Sequence, residues 1–307
     1  LSAETAPLKT NLPVPKKRPD SPWQIAIRRF ARNRLAVIGL FIVVFMFLLC
    51  FIGPFFSPYD LYDYNKLDKN LPPSSKYWLG TDKLGRDILL RMMLAGRISL
   101  LVGLVATGIS VIIGATLGAI AGFYRKWVDT LTMRIADIFM AIPTLPILII
   151  LGTILSDLKV EPSDRIYFLM LIIGVLGWSS VSRLVRGQIL GLREQEFMQA
   201  TEALGLKDRR KIFRHLLPNT IPIIIVSATL GVAGAILYES ALSYLGIGVV
   251  PPTPSWGNML SAANNMIDFR KRPWLWIPPG MCILVTVVAI NLIGDGLRDA
   301  LDPKMKK

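Results

Sequence analysis

The feature that most constrains this chain is an alternation of long runs without a charged residue and short clusters of Lys and Arg. A helix needs about 20 mostly apolar residues to cross the hydrocarbon of a bilayer. Six runs meet or approach that length: 35–56, 98–124, 131–155, 166–182, 216–238 and 273–294. The third is charged only near its start, at Arg134 and Asp137, and the other five carry no charge. Hydrophobic residues make up 52% of the chain and charged residues 18%, against about 25% charged in a soluble domain. A segment inside lipid has no water to bond its backbone, so each run must close its own hydrogen bonds. The expected fold is therefore an all-α polytopic membrane protein with six transmembrane helices. A further uncharged stretch, 240–267, is long enough to span. Its prolines, glycines and asparagines would leave backbone groups unpaired in lipid. It reads as a structured loop that dips into the protein.

The formal net charge is +14, a value that by itself suggests nucleic acid. The placement of the charges, between apolar runs and not on a folded basic face, excludes that class. Placement also predicts orientation. Six crossings divide the connecting segments into two alternating sets, and 22 of the 35 Lys and Arg, 23 with Arg134 at the start of the third run, fall in the set holding both termini and the second and fourth loops. The richer set is expected on the cytoplasmic side. Arg28, Arg29, Arg32 and Arg34, just before the first run, weigh most. The predicted organisation is a basic cytoplasmic segment 1–34, a first helix 35–56 and an extracytoplasmic loop 57–97. A five-helix core 98–297 follows, containing a cytoplasmic loop 183–218 and an extracytoplasmic loop 240–272, and then a tail 298–307. The first run starts behind a basic lead and is too long for a signal-peptide core, so it is expected to remain as a span.

Individual residues add detail. Cys50 and Cys282 lie inside apolar runs without metal-ligand spacing and read as small buried side chains. Ala106, Ser110, Gly114, Gly118 and Gly122 recur every four residues, which puts a stripe of small side chains on one face of the second span. Ser227, Gly231 and Ala235 repeat the device in the fifth. Both stripes read as packing surfaces within the chain, with a second subunit as the alternative. Arg134 and Asp137, three apart, read as a structural ion pair that lowers the cost of charge near lipid. Pro143 and Pro146 should kink the third span. Glu239, Ser240 and Ser243 follow the fifth span at its outer end. All three would line a pathway entrance, and for Glu239 a bond to loop backbone stays open beside it. His215, the one histidine, reads as a residue of the loop–membrane boundary.

The most informative segment is 183–218, RLVRGQILGLREQEFMQATEALGLKDRRKIFRHLLP. The stretch 194–204 is rich in helix formers. Gly205 can adopt positive φ and reverse the chain. Asp208 can cap a second stretch, 209–216, and Pro218 suits the first turn of the fifth span. The segment is too polar to insert and reads as a helix–turn–helix on the membrane face. The chain has no G-x4-G-K-[ST] loop to cradle nucleotide phosphates, no zinc motif and no evident nucleophile triad. It is not expected to be an enzyme.

This segment resembles the cytoplasmic loop of the membrane subunits of bacterial ATP-binding-cassette importers, whose pattern is E-A-A-x3-G-x9-I-x-L-P. The match runs Gln199-Ala200-Thr201, Gly205, then Leu217-Pro218 at the pattern's spacing. It departs at Gln199 for Glu, Thr201 for Ala and His215 for Ile. The stretches FARNRLAVIGL at 30–40, WLGTDKLGRDILLRMMLAGRISLLVG at 78–103, ADIFMAIPTLPIL at 136–148 and ESALSYLGIGVVPPTPSWGNML at 239–260 resemble one branch of that family. That branch is the second permease of dipeptide and oligopeptide importers, and the resemblance covers nearly everything from Trp23 on. It implies a permease forming half of a peptide pathway in the bacterial inner membrane. Its implied partners are a second homologous permease, two ATPase subunits that hold ATP and Mg, an external substrate-binding protein, membrane lipid and the peptide itself. It implies no cofactor in this chain. Glu196, Gln199, Ala200, Thr201, Ala203, Leu204, Gly205, Leu217 and Pro218 would form the ATPase-coupling loop. Nickel importers use related permeases, which keeps another small solute open. An ion-coupled secondary transporter usually places charges at mid-membrane, and a membrane scaffold would leave most spans unexplained.

Overall fold

The computed structural model describes residues 21–61 and 65–301. The basic stretch 1–20 and the last residues of the expected tail, 302–307, lie outside the described residues. Helix α1 spans Pro22–Arg32 and α2 spans Arg34–Phe51. Between them Asn33 is extended, and its side chain accepts the Ala36 amide at 3.2 Å, which caps α2 and turns the chain. Turns over 57–61 and 65–87 follow and form a lobe, with one isolated bridge among the described residues, between Thr81 and Asp87.

Helix α3, Ile88–Tyr124, has 37 residues. At 1.5 Å per residue it is roughly 55 Å long, well beyond the hydrocarbon thickness. It starts ten residues before the expected 98. Asp87 caps it by accepting the Leu90 amide at 2.7 Å. Arg91 and Arg97, which broke the apolar run, both have partners. Arg91 bonds Asp82. Arg97 donates to the Cys50 and Phe51 carbonyls at 2.7 and 2.9 Å, satisfying the C-terminal end of α2.

Helices α4, Lys126–Ala141, and α5, Thr144–Asp157, make up the third predicted span and meet at an angle of 81°. The expected kink is thus a full break. Ile142 before Pro143 is extended, as a residue before proline tends to be. Pro146 falls in the first turn of α5, where a missing N–H costs little, and contributes no second bend.

Helix α6 covers Pro162–Arg193, much longer than the apolar run 166–182. Short elements follow: α7, Glu196–Ala203; α8, Asp208–Arg210; a π-helical turn, Lys211–Leu216; and α9, Leu217–Asn219. Then come α10, Ile221–Tyr244; α11, Trp256–Leu260; α12, Met266–Lys271; and α13, Ile277–Leu301. Five of these helices are long and apolar enough to cross a bilayer: α2, α3, α6, α10 and α13. The bent pair α4–α5 makes a sixth crossing if counted as one.

Helix α3 is the central post. It packs along α6 and also against α2 and α10. The stripe of small residues makes the α3–α6 contact. Ser110 Oγ donates to the Gly174 carbonyl at 2.7 Å. A Cβ on Gly114 would lie 2.6 Å from the Trp178 carbonyl oxygen, and one on Gly118 2.4 Å from that of Ser182. The stripe is packing within the chain, as read from sequence. Apolar side chains fill three clusters along the post. One holds Met46, Ile88, Trp256 and Ile283, the next Val102, Leu148, Leu169 and Ala235. The third holds Phe123, Val185, Ile189, Met198 and Leu216. The segment after α10 does dip into the protein, for Trp256 is fully buried.

Candidate functional site: the loop between α6 and α10

Helix α6 ends at Arg193, whose guanidinium bonds the Phe123 carbonyl and lies 5.2 Å from the Phe123 ring centroid. Arg125 pairs with Glu194. These contacts fix the start of the loop to the end of α3. Helix α7 then closes with a paired set of backbone bonds. The Gly205 amide donates to the Glu202 carbonyl at 2.9 Å and the Leu206 amide to Thr201 at 3.2 Å. That is the Schellman arrangement, which needs a left-handed residue at its turn. Gly205 supplies it, with φ at +64°.

Helix α7 has two faces. Met198 and Thr201 are buried, and with Ile212 and Leu216 of the π turn they sit on the ends of α3 and α6. The Thr201 hydroxyl donates to the Met198 carbonyl at 2.7 Å. Glu196, Gln199, Ala200, Ala203 and Leu204 share the opposite face at helical spacing, and all are exposed. Leu204 is 76% exposed, an apolar side chain held at the tip of the loop. Gly205 and Pro218 are exposed, and Leu217 is half-buried. The structure therefore brings five of the nine predicted loop residues onto one surface and turns Thr201 away from it. The inward anchors Met198, Ile212 and Leu216 escaped the sequence reading. Their signal was the apolar spacing across 198–216, masked by the arginines between.

Two local readings are corrected. Asp208 is not the cap of the second stretch. Lys207 holds that position without a side-chain bond, and Asp208 is the first helical residue, 3.6 Å from Lys211. Pro218 is not in the first turn of the fifth span. It lies in α9, and α10 begins at Ile221 with Pro222 as its second residue. Pro218 has no N–H to donate backward, and its ring crowds the carbonyl of Arg214 four residues earlier. The widened π turn over Lys211–Leu216 is the local consequence. Asn219 Nδ2 donates to the His215 carbonyl at 2.6 Å and takes up one of the freed acceptors.

The expected pair of Arg134 and Asp137 does not form. Asp137 pairs with Arg183 of α6, and Arg134 is exposed. A residue on a neighbouring helix joins two elements, which a same-helix pair cannot do. Arg186 does the same beside it, with two bonds of 2.6 Å to Asp129. The basic residues 183, 186 and 193 thus belong to α6 and tie α4 and the end of α3 to it.

Glu239, Ser240 and Ser243 do not line an entrance. Helix α10 runs on to Tyr244, and Glu239 is 0% exposed, with both serines buried. Glu239 itself bonds serine hydroxyls and, among the described residues, no loop backbone, and the bond to the loop is made by Ser243. Ser243 Oγ accepts the Val249 amide at 2.9 Å.

At the lobe, Asp82 Oδ2 lies 2.8 Å from both Nε and Nη2 of Arg86 and also bonds Arg91. Burial pushes the Asp82 carboxyl up, but the Arg91 charge and the bonds from Arg86 outweigh it and hold the group below the usual carboxylate range. Asp268 of α12 is buried between Lys83 and Arg272, at 2.7 Å from each. Burial pushes its carboxyl up as well, and those two cations bring it down. The Lys83–Asp268 contact ties the lobe to the segment before α13. Among the described residues no group of three or more His, Cys, Asp or Glu could hold a metal ion.

Comparison with known proteins agrees with this architecture. Residues 114–307 match the family model described as binding-protein-dependent transport system inner membrane component. Residues 21–73 match the N-terminal TM domain of oligopeptide transport permease C. The oligopeptide transport system permease protein OppC of Bacillus subtilis is 40% identical over 291 residues, 95% of this chain and 92% of that protein. The dipeptide transport system permease protein DppC of Alkalihalophilus pseudofirmus is 41% identical over 286 residues, 93% of this chain and 91% of that protein. With one family model covering most of the bundle, another covering the first span, and relatives matching nearly end to end, this chain belongs to the binding-protein-dependent transport inner-membrane component family.

Proposed function

We propose that the chain is one of two permease subunits of an ATP-driven peptide importer in the bacterial inner membrane. The observation that carries this reading is the exposed face of α7, Glu196, Gln199, Ala200, Ala203 and Leu204, mounted on a helix whose other face is locked to α3 and α6. Such a face gives a cytoplasmic ATPase subunit something rigid to hold. The buried anchors Met198, Ile212 and Leu216 give the motion a path into the bundle. ATP and Mg belong to two such partners, and this chain supplies coupling without catalysis. Peptide as the substrate is supported by the names of the relatives. The loop of α7 faces the cytoplasm together with both termini, as the distribution of Lys and Arg supports. The lobe 57–87 and the segment 245–272 then form the external surface on which a substrate-binding protein delivers its load.

Two experiments test this. Co-expressed with its neighbouring permease and ATPase genes, the chain should co-purify with them. In lipid, ATP hydrolysis and uptake of a labelled peptide should both rise when a loaded binding protein is added. Uptake of nickel but not of peptide would move the substrate class, and no co-purification would sink the importer reading. For orientation, a cysteine at Lys76 should react with an impermeant thiol reagent added to intact cells, and one at Lys207 should not. Lys76 is 60% exposed beside Asp68, so access is not in question. Reversed labelling would turn the whole topology over.

A further inference from the structure

A carboxylate buried in an apolar bundle needs partners. Glu239 of α10 has only hydroxyls among the described residues. Ser99 Oγ of α3 donates to its Oε2 at 2.7 Å, and Ser243 Oγ donates to its Oε1 at 2.7 Å. Ser240 Oγ is more distant, 3.5 Å from Oε2, and the hydroxyl of Ser255, within the segment after α10, also bonds the carboxylate. The proton count on these groups is decisive. A serine hydroxyl has one proton to give and lone pairs to accept with. Ser99 and Ser243 both give that proton to Glu239. Both accept from the backbone of the segment after α10. The Trp256 amide donates to Ser99 Oγ at 3.3 Å and the Val249 amide to Ser243 Oγ at 2.9 Å.

We infer that Glu239 is a positioning residue: through Ser99 and Ser243 it pins the two ends of the 249–256 segment to α3 and α10. A serine that accepts an amide proton on one side and gives its own to the carboxylate on the other is held in one rotamer, with its proton inward and a lone pair toward the loop. The geometry around it agrees. The Trp256 indole Nε1 donates to the Met92 carbonyl at 3.0 Å, which carries the same end of the segment onto α3. Asn258 Nδ2 closes the segment on itself, donating to the carbonyls of Val249 at 3.2 Å and Thr253 at 2.8 Å. A Cβ on Gly257 would lie 2.5 Å from the Ser240 carbonyl oxygen, so the segment sits directly on the α10 backbone. None of this depends on the importer reading. If that reading holds, Glu239 sets the shape of an external docking loop from inside the bundle.

The test is hydrogen–deuterium exchange, resolved at single amides, on the full-length chain in its membrane complex in lipid nanodiscs. Ser99→Ala should speed exchange at the Trp256 amide by about tenfold, the scale of one lost hydrogen bond, and leave Val249 protected. Ser243→Ala should do the reverse. Glu239→Ala should release both amides while α6 exchanges as in the wild type. If Glu239→Ala is not recovered from the membrane, the two serine variants decide. Selective loss of one amide each supports the inference. Unchanged protection in all recovered variants, or equal loosening at both amides in each serine variant, overturns it.

Discussion

Gly118→Val is expected to lose most of the folded protein from the membrane. The Cβ it adds would stand 2.4 Å from the Ser182 carbonyl oxygen and 3.0 Å from the Ser182 Cα. Both obstacles are backbone, so no side chain can rotate away. Helices α3 and α6 must separate, and the neighbouring Gly114 and Gly122 contacts open with them. Overpacking a filled interior typically costs about 1–3 kcal/mol, occasionally more, and a backbone obstacle places this site at or above the top of that range. Against a total of roughly 5–15 kcal/mol the loss is large. Purified variant in lipid should melt roughly 10 °C lower than wild type. Gly108→Val is the control. It lies on the same helix, and its added Cβ would have nothing within 4 Å. Equal loss in both variants would mean that helix propensity, not the α3–α6 approach, controls the result.

Gly205→Val is expected to abolish uptake with the protein still present in normal amount. A Cβ at Gly205 would meet nothing within 4 Å, so the effect is confined to the backbone. At φ +64° an L-residue loses roughly 1–2 kcal/mol, and a β-branched one more. That is too little to unfold the chain. It is enough to favour another turn, which would aim α7 differently from the π turn that follows. Uptake should fall by more than about tenfold, while abundance stays within about twofold of wild type. Gly205→Asn should retain most uptake, because asparagine tolerates the left-handed region. The assay pairs labelled-peptide uptake with ATP hydrolysis and immunoblotting of the membrane fraction. Wild-type uptake in Gly205→Val would refute the role of this turn. Loss of protein from the membrane would show that the turn is needed for folding and overturn the confined-backbone argument.

The spans were legible because hydropathy is a property of consecutive residues, and the bilayer reads it the same way. The break at Pro143 was legible for a similar local reason, since proline restricts its own neighbour. What escaped was set by partners far away in sequence. Helix α3 began ten residues early because Arg91 and Arg97 are satisfied by Asp82 and by the end of α2. Asp137 found Arg183 and not Arg134, a choice made by the packing of α4 on α6. Glu239 looked like a loop residue because the apolar run stopped at Tyr238, yet the helix continued around it and supplied its partners. The loop between α6 and α10 was divided similarly. The turn at Gly205 was readable from one residue type, but the inward rotation of Thr201 follows from Met198 on the same face of α7, which packs with the ends of α3 and α6.

Helix α10 joins two features that have so far been described separately. It has 24 residues, so it is a strut of roughly 36 Å, with the Glu239 hydrogen bonds near one end and the π turn just beyond the other. A strut fixed at one end converts small angles into travel. A tilt of about 5° about Glu239, on an arm of roughly 27 Å to the start of α10, carries that far end roughly 2.4 Å, a little under half the rise of one helical turn. The π turn lies where that travel is delivered, and a widened turn with proline-freed carbonyls can absorb it without breaking an intact α-helical ladder. In mechanical terms α10 is a stiff arm between a hydrogen-bonded end and a widened turn, and the spacing between Glu239 and Pro218 sets its length.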